Sequence, residues 1–143
     1  MKRHVALQTL SREHHTALTL ALACKRAAQS GSEESIRDAC EKVRHVFAAE
    51  LDPHFRVEEE ALLPLLQQAG EAVLVHRTLD EHAALRAQSG ALRSHDPALL
   101  AAFGKALSDH VRFEESQLFP SAEQVVPLGQ LEIALGKPAR TGK

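Results

Sequence analysis

HFRVEEEALLP at residues 54–64 returns in the second half of the chain as HVRFEESQLFP at residues 110–120. The two stretches share a histidine, an arginine, a pair of glutamates, a leucine and a proline at matching positions. Each places a histidine four residues before a glutamate, with His54 before Glu58 and His110 before Glu114. Residues i and i+4 lie on the same face of an α-helix, one turn apart. The repeat therefore predicts two helices that each present an imidazole and a carboxylate together, a mixed ligand set that suits iron or manganese.

Length and composition limit the class of protein. The 143 residues are enough for one domain with a single core, and we expect residues 137–143 to be a disordered tail. Lysine and arginine number 17 against 19 acidic residues, and this near-neutral balance argues against a nucleic-acid partner. No apolar run approaches the roughly 20 residues that span a bilayer, and the charges at residues 12–15 argue against a signal peptide. We therefore expect a soluble, cytoplasmic protein without a membrane partner.

Apolar residues recur at helical spacing along most of the chain, and turn signals divide the pattern into long helices. The third and fourth are separated by Asp96 and Pro97, an N-cap followed by proline at the first helical position. Pro53 is expected to kink the second helix rather than end it. Short connections imply antiparallel neighbours, so we predict an all-α, up-down-up-down antiparallel four-helix bundle with a short C-terminal helical segment. The helices are predicted at about 7–29, 33–63, 71–93 and 97–118, with the short segment between Pro120 and Pro127.

Cys24 and Cys40 flank the turn predicted at residues 30–32 and would face each other across a helical hairpin. We interpret them as small, buried, reduced apolar residues, with redox pairing as the alternative.

The apolar stripes also predict which histidines face the bundle interior. His82 falls on the stripe of the third helix, whereas His76 does not. His14 aligns with the apolar residues of the first helix, whereas His15 is rotated by about 100°. We favour His14 over His15 and His82 over His76, with both alternatives left open. The stripes are Leu7, Leu10, Ala17, Leu18 and Ala21 on the first helix, and Val75, Leu79, His82 and Leu85 on the third.

Four inward histidines, one on each helix, and two inward glutamates would leave unpaired charge in the core at a severe cost. A pair of divalent cations removes that cost, because it neutralises the carboxylates and accepts the imidazole lone pairs. A lone histidine in a core is usually a hydrogen-bonded core group, but the repeat outweighs that interpretation. The predicted metal ligands are His14, His54, Glu58, His82, His110 and Glu114.

We expect the residues that adjoin these ligands to have structural roles and not to bind metal. Glu59, Glu60 and Glu115 are rotated by about 100° or more from the ligand glutamates, so we interpret them as a solvated acidic face. The arginines of the repeat are expected in surface ion pairs, and three phenylalanines near the ligands are expected to fill the core. These residues are Arg56, Arg112, Phe55, Phe113 and Phe119.

With these residues the sequence resembles the hemerythrin superfamily, specifically the hemerythrin-like HHE cation-binding domain. The resemblance covers the chain to about Glu123 and is carried by LSREHHTAL at 10–18, DEHAAL at 80–85 and the two copies of the repeat. It implies a non-haem di-iron centre inside a four-helix bundle, with manganese or zinc as substitutes. Glu58 and Glu114 would bridge the two irons, and the four histidines would complete their ligand shells.

Two departures argue against reversible oxygen transport. Oxygen-carrying hemerythrins have a histidine four residues before the third-helix ligand, where this chain has Thr78. Their fourth-helix carboxylate follows its histidine by five residues, whereas here the spacing is four. The resemblance instead implies a protein that binds or reduces a small oxidant (O2, NO or peroxide) in stress response or iron-centre repair. Iron or oxygen sensing, or iron storage without turnover, is the alternative, and the sequence identifies no redox or protein partner.

Overall fold

The computed structural model of the protein describes residues 3–136, and within that range the chain is all-helical, with no β-strand. The predicted tail at 137–143 lies outside the described residues. No helix in the described range is both long enough and apolar enough to cross a membrane. The helices are α1 (Val5–Gln29), α2 (residues 33–68), α3 (Ala72–Ala91), α4 (residues 97–125) and α5 (Leu128–Leu135).

Local sequence signals explain where the helices begin and end. Ser32 caps α2 and Asp96 caps α4, each by accepting a hydrogen bond from a backbone N–H of the first turn. Pro97 occupies the first helical position of α4, where its missing N–H costs nothing. Gly31 and Gly70 adopt φ values of 71° and 91°, a region that favours glycine. These two residues allow the reversals of the chain that join α1 to α2 and α2 to α3.

Three π-helical turns widen α2 and α4, at Phe47–Leu51, Glu58–Leu62 and Glu114–Leu118. After each turn the next residue donates its N–H to the carbonyl five residues back, and a proline follows at 53, 64 or 120. A proline in a regular helix clashes with the carbonyl four residues earlier. The wider turn moves that carbonyl away, so the helix continues through the proline.

This accommodation of proline corrects two predicted helix ends. The second helix does not stop at Leu63 but runs to Gln68, and the fourth does not stop at Leu118 but runs to Val125. The short helical segment expected between Pro120 and Pro127 is therefore part of α4, and the short C-terminal helix begins only after Pro127. The prediction that α2 continues through Pro53 agrees with the structure.

The buried face of α1 and α3 follows alternating steps of three and four residues, which corrects the predicted stripes. Leu18 is 40% exposed and Leu79 is 41% exposed, because each lies one residue, or about 100°, beyond the buried series. Thr78 occupies the buried position beside Leu79. The buried series are Leu7, Leu10, His14, Ala17, Ala21 and Cys24 on α1, and Val75, Thr78, His82, Leu85 and Ser89 on α3.

Contacts join α1 with α2, α2 with α3, α3 with α4 and α4 with α1 around a common interior. That interior contains two apolar clusters, which we call the Phe103 cluster and the Phe119 cluster after their large fully buried members. Along the chain, α1 and α3 contribute first to the Phe119 cluster and then to the Phe103 cluster, whereas α2 and α4 contribute in the opposite order. The Phe103 cluster includes Leu20, Val43, Phe47, Leu85 and Leu107, and the Phe119 cluster includes Leu7, Leu10, Leu62, Val75 and Leu118.

Cys24 and Cys40 are both free thiols, fully buried in the Phe103 cluster. Burial raises the pKa of the Cys24 thiol to about 12, so the reactive thiolate is scarce at neutral pH. Their interpretation as buried apolar residues is therefore confirmed.

Candidate metal centre

The six predicted ligands lie together in the interior, between the two apolar clusters. All four long helices contribute at least one of them. The histidines that the sequence left as alternatives, His15 and His76, are exposed, as is His45. We call the six the inner residues, and their exposed fractions are 4% for His14, 5% for His54, 2% for His110 and 0% for Glu58, His82 and Glu114.

Within this group every carboxylate oxygen faces a different imidazole. The two oxygens of Glu58 lie opposite histidines of α2 and α3, and the two oxygens of Glu114 lie opposite histidines of α1 and α4. In each case the nearest imidazole atom is Nε2. The distances are 3.0 Å for His54–Glu58 Oε2, 3.0 Å for His82–Glu58 Oε1, 2.8 Å for His14–Glu114 Oε1 and 2.9 Å for His110–Glu114 Oε2.

The inner residues divide into two four-membered groups whose ligand atoms all lie within 4.8 Å of one another. Glu58 and Glu114 belong to both groups, so each group consists of the two shared carboxylates and two imidazoles. One group is completed by His14 and His54, and the other by His82 and His110. Each group has the donor set of a metal site, and the two groups share both carboxylates.

Most of the inner donor atoms lack a hydrogen-bond partner although they are buried. Leaving such atoms unsatisfied costs about 1–3 kcal/mol each, and more when the group is charged. A divalent cation bound between imidazole nitrogens and carboxylate oxygens would satisfy them, so the residues present fit a metal site. The buried atoms without a partner are His54 Nε2, His82 Nε2, His110 Nε2, Glu114 Oε2 and both Glu58 oxygens.

The outward-facing Nδ1 atom of each inner histidine lies beside a second carboxylate, and we call these four the outer carboxylates. When the imidazole is neutral and Nδ1–H donates to the carboxylate, the lone pair of Nε2 points into the centre. The outer carboxylates therefore select the tautomer and orientation that bind a metal. The distances are 2.7 Å for His14–Glu115, 2.7 Å for His54–Glu13, 2.7 Å for His82–Glu59 and 2.6 Å for His110–Glu81.

The outer carboxylates form a closed ring through the four helices. Each belongs to the helix that precedes its histidine: Glu13 of α1 holds α2, Glu59 of α2 holds α3, Glu81 of α3 holds α4, and Glu115 of α4 returns to α1. Each also adjoins an inner residue in the chain. Every helix thus supplies both an inner residue and the anchor for the histidine of its neighbour.

The interpretation of Glu59 and Glu115 as a solvated acidic face was wrong, since both are only partly exposed and bind inner histidines. It holds for Glu60, which is exposed. Glu13 and Glu81 were not singled out from the sequence. Their available signal was the glutamate-histidine pair within LSREHHTAL and DEHAAL.

Arginines hold three of the four outer carboxylates. The ion-pair distances are 3.2 Å for Arg3–Glu115, 2.9 Å for Arg86–Glu59 and 2.9 Å for Arg77–Glu81. Glu13 differs, because no lysine or arginine within residues 3–136 lies at ion-pair distance from it and its side chain is 50% exposed. The His54 corner is therefore the corner of the ring without an arginine in the described part of the chain.

Burial lowers the pKa of each inner histidine, but the facing carboxylates outweigh burial. The pKa rises to about 12 for His54, about 10 for His110 and about 9 for His82, and it also rises for His14. Burial by itself would raise the pKa of Glu114, but the imidazoles around it, above all His110, hold that pKa well below the usual range. We therefore expect the inner imidazoles to hold protons when no cation is bound, while burial and the nearby Glu114 carboxylate raise the pKa of Glu58. Four Nε2–H protons carry the same charge as two divalent ions.

Aromatic rings fix the planes of two inner histidines. The Phe55 ring stacks on His82, with 4.0 Å between centroids, and the Phe119 ring stacks on His14, with 5.3 Å between centroids. Phe113 is also buried, which agrees with the prediction that these phenylalanines fill the core. Thr78 is fully buried and donates its hydroxyl to the Leu74 carbonyl at 2.8 Å. The position four residues before His82 therefore adds no imidazole to the centre.

The two repeat arginines lie away from the centre, as predicted. Arg56 pairs with Asp52 at 2.9 Å and Arg112 with Asp109 at 3.5 Å, and both arginines are exposed.

Comparison with known proteins agrees with the site. A model of the hemerythrin HHE cation-binding domain matches residues 5–122, a span that contains every inner residue and every outer carboxylate. No curated protein and no solved structure matches the chain. The match over most of the chain, together with a buried histidine and glutamate cluster suited to metal, shows that the chain belongs to the hemerythrin HHE cation-binding domain family.

Proposed function

We propose that this protein is a non-haem di-iron protein that binds or reduces a small oxidant such as O2, NO or peroxide. The six inner residues would hold the two irons, with Glu58 and Glu114 shared between them. The observation that carries the proposal is the one-to-one arrangement of four imidazole nitrogens and four carboxylate oxygens in two groups that share both glutamates.

The donor set favours iron over the alternatives. Imidazole suits zinc, copper, iron and nickel, carboxylate suits manganese and magnesium, and the combination of two histidines with carboxylate is typical of non-haem iron. The inner residues contain no thiolate that would favour copper(I) or a cluster. Each position offers two imidazoles and two shared carboxylates, which leaves room for an exogenous ligand on a metal of higher coordination number. Manganese or zinc would bind the same residues as substitutes. Iron, when bound, supplies the electron-transfer chemistry, while the protein supplies geometry and exclusion of water.

The protein's own residues prepare the centre in two ways. The outer carboxylates hold the Nδ1 protons and orient the imidazoles, and the stacked rings of Phe55 and Phe119 cover two of those imidazoles. In addition, the inner residues are buried between the two apolar clusters, which keeps bulk water from their donor atoms. A small diatomic molecule or peroxide fits such an enclosed site better than a large substrate does.

The proposed bundle runs up-down-up-down, and two observations support it. The order in which the helices enter the Phe103 and Phe119 clusters reverses from each helix to the next. The outer carboxylate follows its inner neighbour on α2 and α4 but precedes it on α1 and α3. Viewed along the bundle, a step to the next residue on an ascending helix rotates in the same direction as a step to the preceding residue on a descending helix. If neighbouring helices are antiparallel, a ring in which every outer carboxylate points to the next helix therefore needs the carboxylate after its inner neighbour on one helix and before it on the next.

The proposal is tested by the iron content and the aerobic absorption spectrum of the purified protein. We expect about two irons per chain and the near-ultraviolet charge-transfer bands of an oxo-bridged diferric centre. His15→Ala is the matched control, since it removes an exposed neighbour of His14. A chain that takes up less than one iron under conditions of excess Fe(II) would refute the proposal.

Sensing or storage without turnover uses the same centre and is the alternative function. Consumption of NO or peroxide by the iron-loaded protein over many cycles would favour reduction, whereas a single stoichiometric reaction would favour sensing or storage. A single domain, a cytoplasmic location and the absence of a nucleic-acid partner stay predictions.

A further inference from the structure

A cavity of about 260 Å³ lies between α1 and α2 and reaches the centre at one corner of the ring. Exposed residues of both helices line its outer part, among them Glu13, Thr16, Ala49 and Glu50. His54, which is 5% exposed, lines its inner part. The cavity thus joins residues at the surface to an inner residue of the proposed metal centre.

The charge of this cavity is negative. Glu13 and Glu50 are both in its lining, and no lysine or arginine of the described chain is. At the other three corners an arginine stands behind the outer carboxylate, and its positive charge repels an approaching cation. Even with a proton on His54, the two carboxylates leave this corner with a net negative charge, which favours the approach of a divalent cation.

The His54 side chain separates the cavity from the shared carboxylates, which are fully buried and do not line it. His54 Nε2 has no hydrogen-bond partner, and it lies 3.0 Å from Glu58 Oε2 and 3.9 Å from Glu114 Oε1. Glu13 can also leave His54 without abandoning an arginine, because it has none in residues 3–136. His54 is therefore the inner histidine whose outer carboxylate has the fewest other partners among residues 3–136.

We infer that this cavity is the entrance through which a divalent cation reaches the centre. Glu50 and Glu13 attract the ion at the surface, and His54 passes it to Glu58 and Glu114. The inference rests on the proposed metal centre and adds the route by which that centre is filled.

The test is the rate at which Co(II) enters the cation-free protein, followed by stopped-flow visible absorption. Glu50→Gln removes a charge from the entrance, and Ala49→Trp narrows it without a change of charge. Two matched controls stand outside the lining: Glu60→Gln, which removes an exposed charge beside the inner residues, and Ala48→Trp, which adds the same bulk one residue away. Circular dichroism verifies the helical fold of every variant.

We expect Glu50→Gln to slow cobalt uptake by ~3- to 10-fold at low ionic strength, because a focused field raises association rates by 10-fold or more. This difference should shrink at about 1 M salt, where the Debye length is about 3 Å. The slowing by Ala49→Trp should persist in salt, since it is steric. Both variants should still reach the cobalt content of the wild-type protein, which separates a slow entrance from a damaged centre.

Two results would overturn the inference while leaving the metal centre intact. One is uptake at the wild-type rate by both entrance variants, and the other is equal slowing by the two control variants. A wild-type protein that takes up no cobalt would instead overturn the proposed centre, and the entrance with it.

Discussion

Each divalent ion that enters this centre should displace about two protons, so its apparent affinity should rise about 100-fold for each unit of pH. The prediction follows from the structure because each of the four histidine Nε2 atoms lies beside one of the four oxygens of Glu58 and Glu114. We expect each Nε2 to carry a proton when no cation is bound, because the carboxylates raise the pKa of every inner histidine despite burial. A metal ion needs the lone pair that each proton occupies.

The size of the pH dependence follows from the number of protons that each metal ion displaces. Four Nε2–H protons shared between two ions give two protons per ion, hence a slope of two in the logarithm of affinity against pH. One pH unit and one proton correspond to 1.36 kcal/mol, so two protons correspond to ~2.7 kcal/mol per ion and per pH unit. The slope should decrease as pH approaches about 9, because His82, with its pKa of about 9, loses its proton there without metal.

The stability of the cation-free protein should depend on pH in the opposite sense to metal binding. A histidine whose pKa is raised in the folded state stabilises the cation-free protein below the unfolded pKa of about 6.5. That stabilisation is lost as pH rises through the folded values of about 9 to about 12. Metal binding follows the opposite course and strengthens as pH rises. The gain in melting temperature caused by metal should therefore be large at about pH 7.5 and should collapse towards pH 5.

The assay is a competition titration of Co(II) against a chelator of known affinity at several pH values between about 6.5 and 8.5. Proton release in a weakly buffered solution with a pH indicator gives the count independently. His15→Ala is the control, since this exposed histidine should not change the slope. An affinity that is flat between pH 7 and 8.5 would mean that the inner histidines are already neutral without metal, and it would refute the imidazolium description.

Three further predictions concern single residues. Glu58→Ala should lower the bound iron from about two per chain to one or fewer, as measured by metal analysis, because Glu58 belongs to both four-membered groups. His14→Ala should lose more metal than His15→Ala, and equal loss would overturn the choice between them. Glu81→Gln should weaken Co(II) binding ~10- to 100-fold, since outer partners of metal-binding histidines have effects of that size, while Glu60→Gln should leave the affinity unchanged.

The inner residues were predictable because two different patterns together identify all six of them. The repeat identifies the pairs on α2 and α4, and helical periodicity selects His14 and His82 on the other two helices. Periodicity failed for Leu18 and Leu79, which are apolar yet about 40% exposed. An apolar residue is only weak evidence of burial, because much of any protein surface is apolar. Spacing relative to the buried series is the stronger guide.

The continuation of α2 and α4 was harder to predict, because proline ordinarily breaks a helix. Here the residues before Pro64 and Pro120 form a π turn that begins at an inner glutamate, Glu58 or Glu114. The same turn accommodates the proline and shapes the backbone at the centre, where π turns are often found. Helix propensities describe regular α-helix and do not predict a π turn. The helices were therefore predicted to end too early, at Leu63 and Leu118.

The outer carboxylates escaped prediction because a single helix was considered at a time. A residue one position from an inner residue is rotated by about 100°, which on an isolated helix means the solvent side. In a bundle of four helices, however, that direction points along the interface to the next helix, where a histidine needs an acceptor for its Nδ1–H. In each pair of adjacent residues, one faces inward as a candidate metal ligand and the other faces sideways and binds the histidine of the next helix. Glutamate before the inner histidine on α1 and α3, and after the inner glutamate on α2 and α4, is the pattern that such a ring leaves in a sequence. Because each sideways residue holds the histidine of the neighbouring helix, each of these contacts between helices also orients a candidate metal ligand.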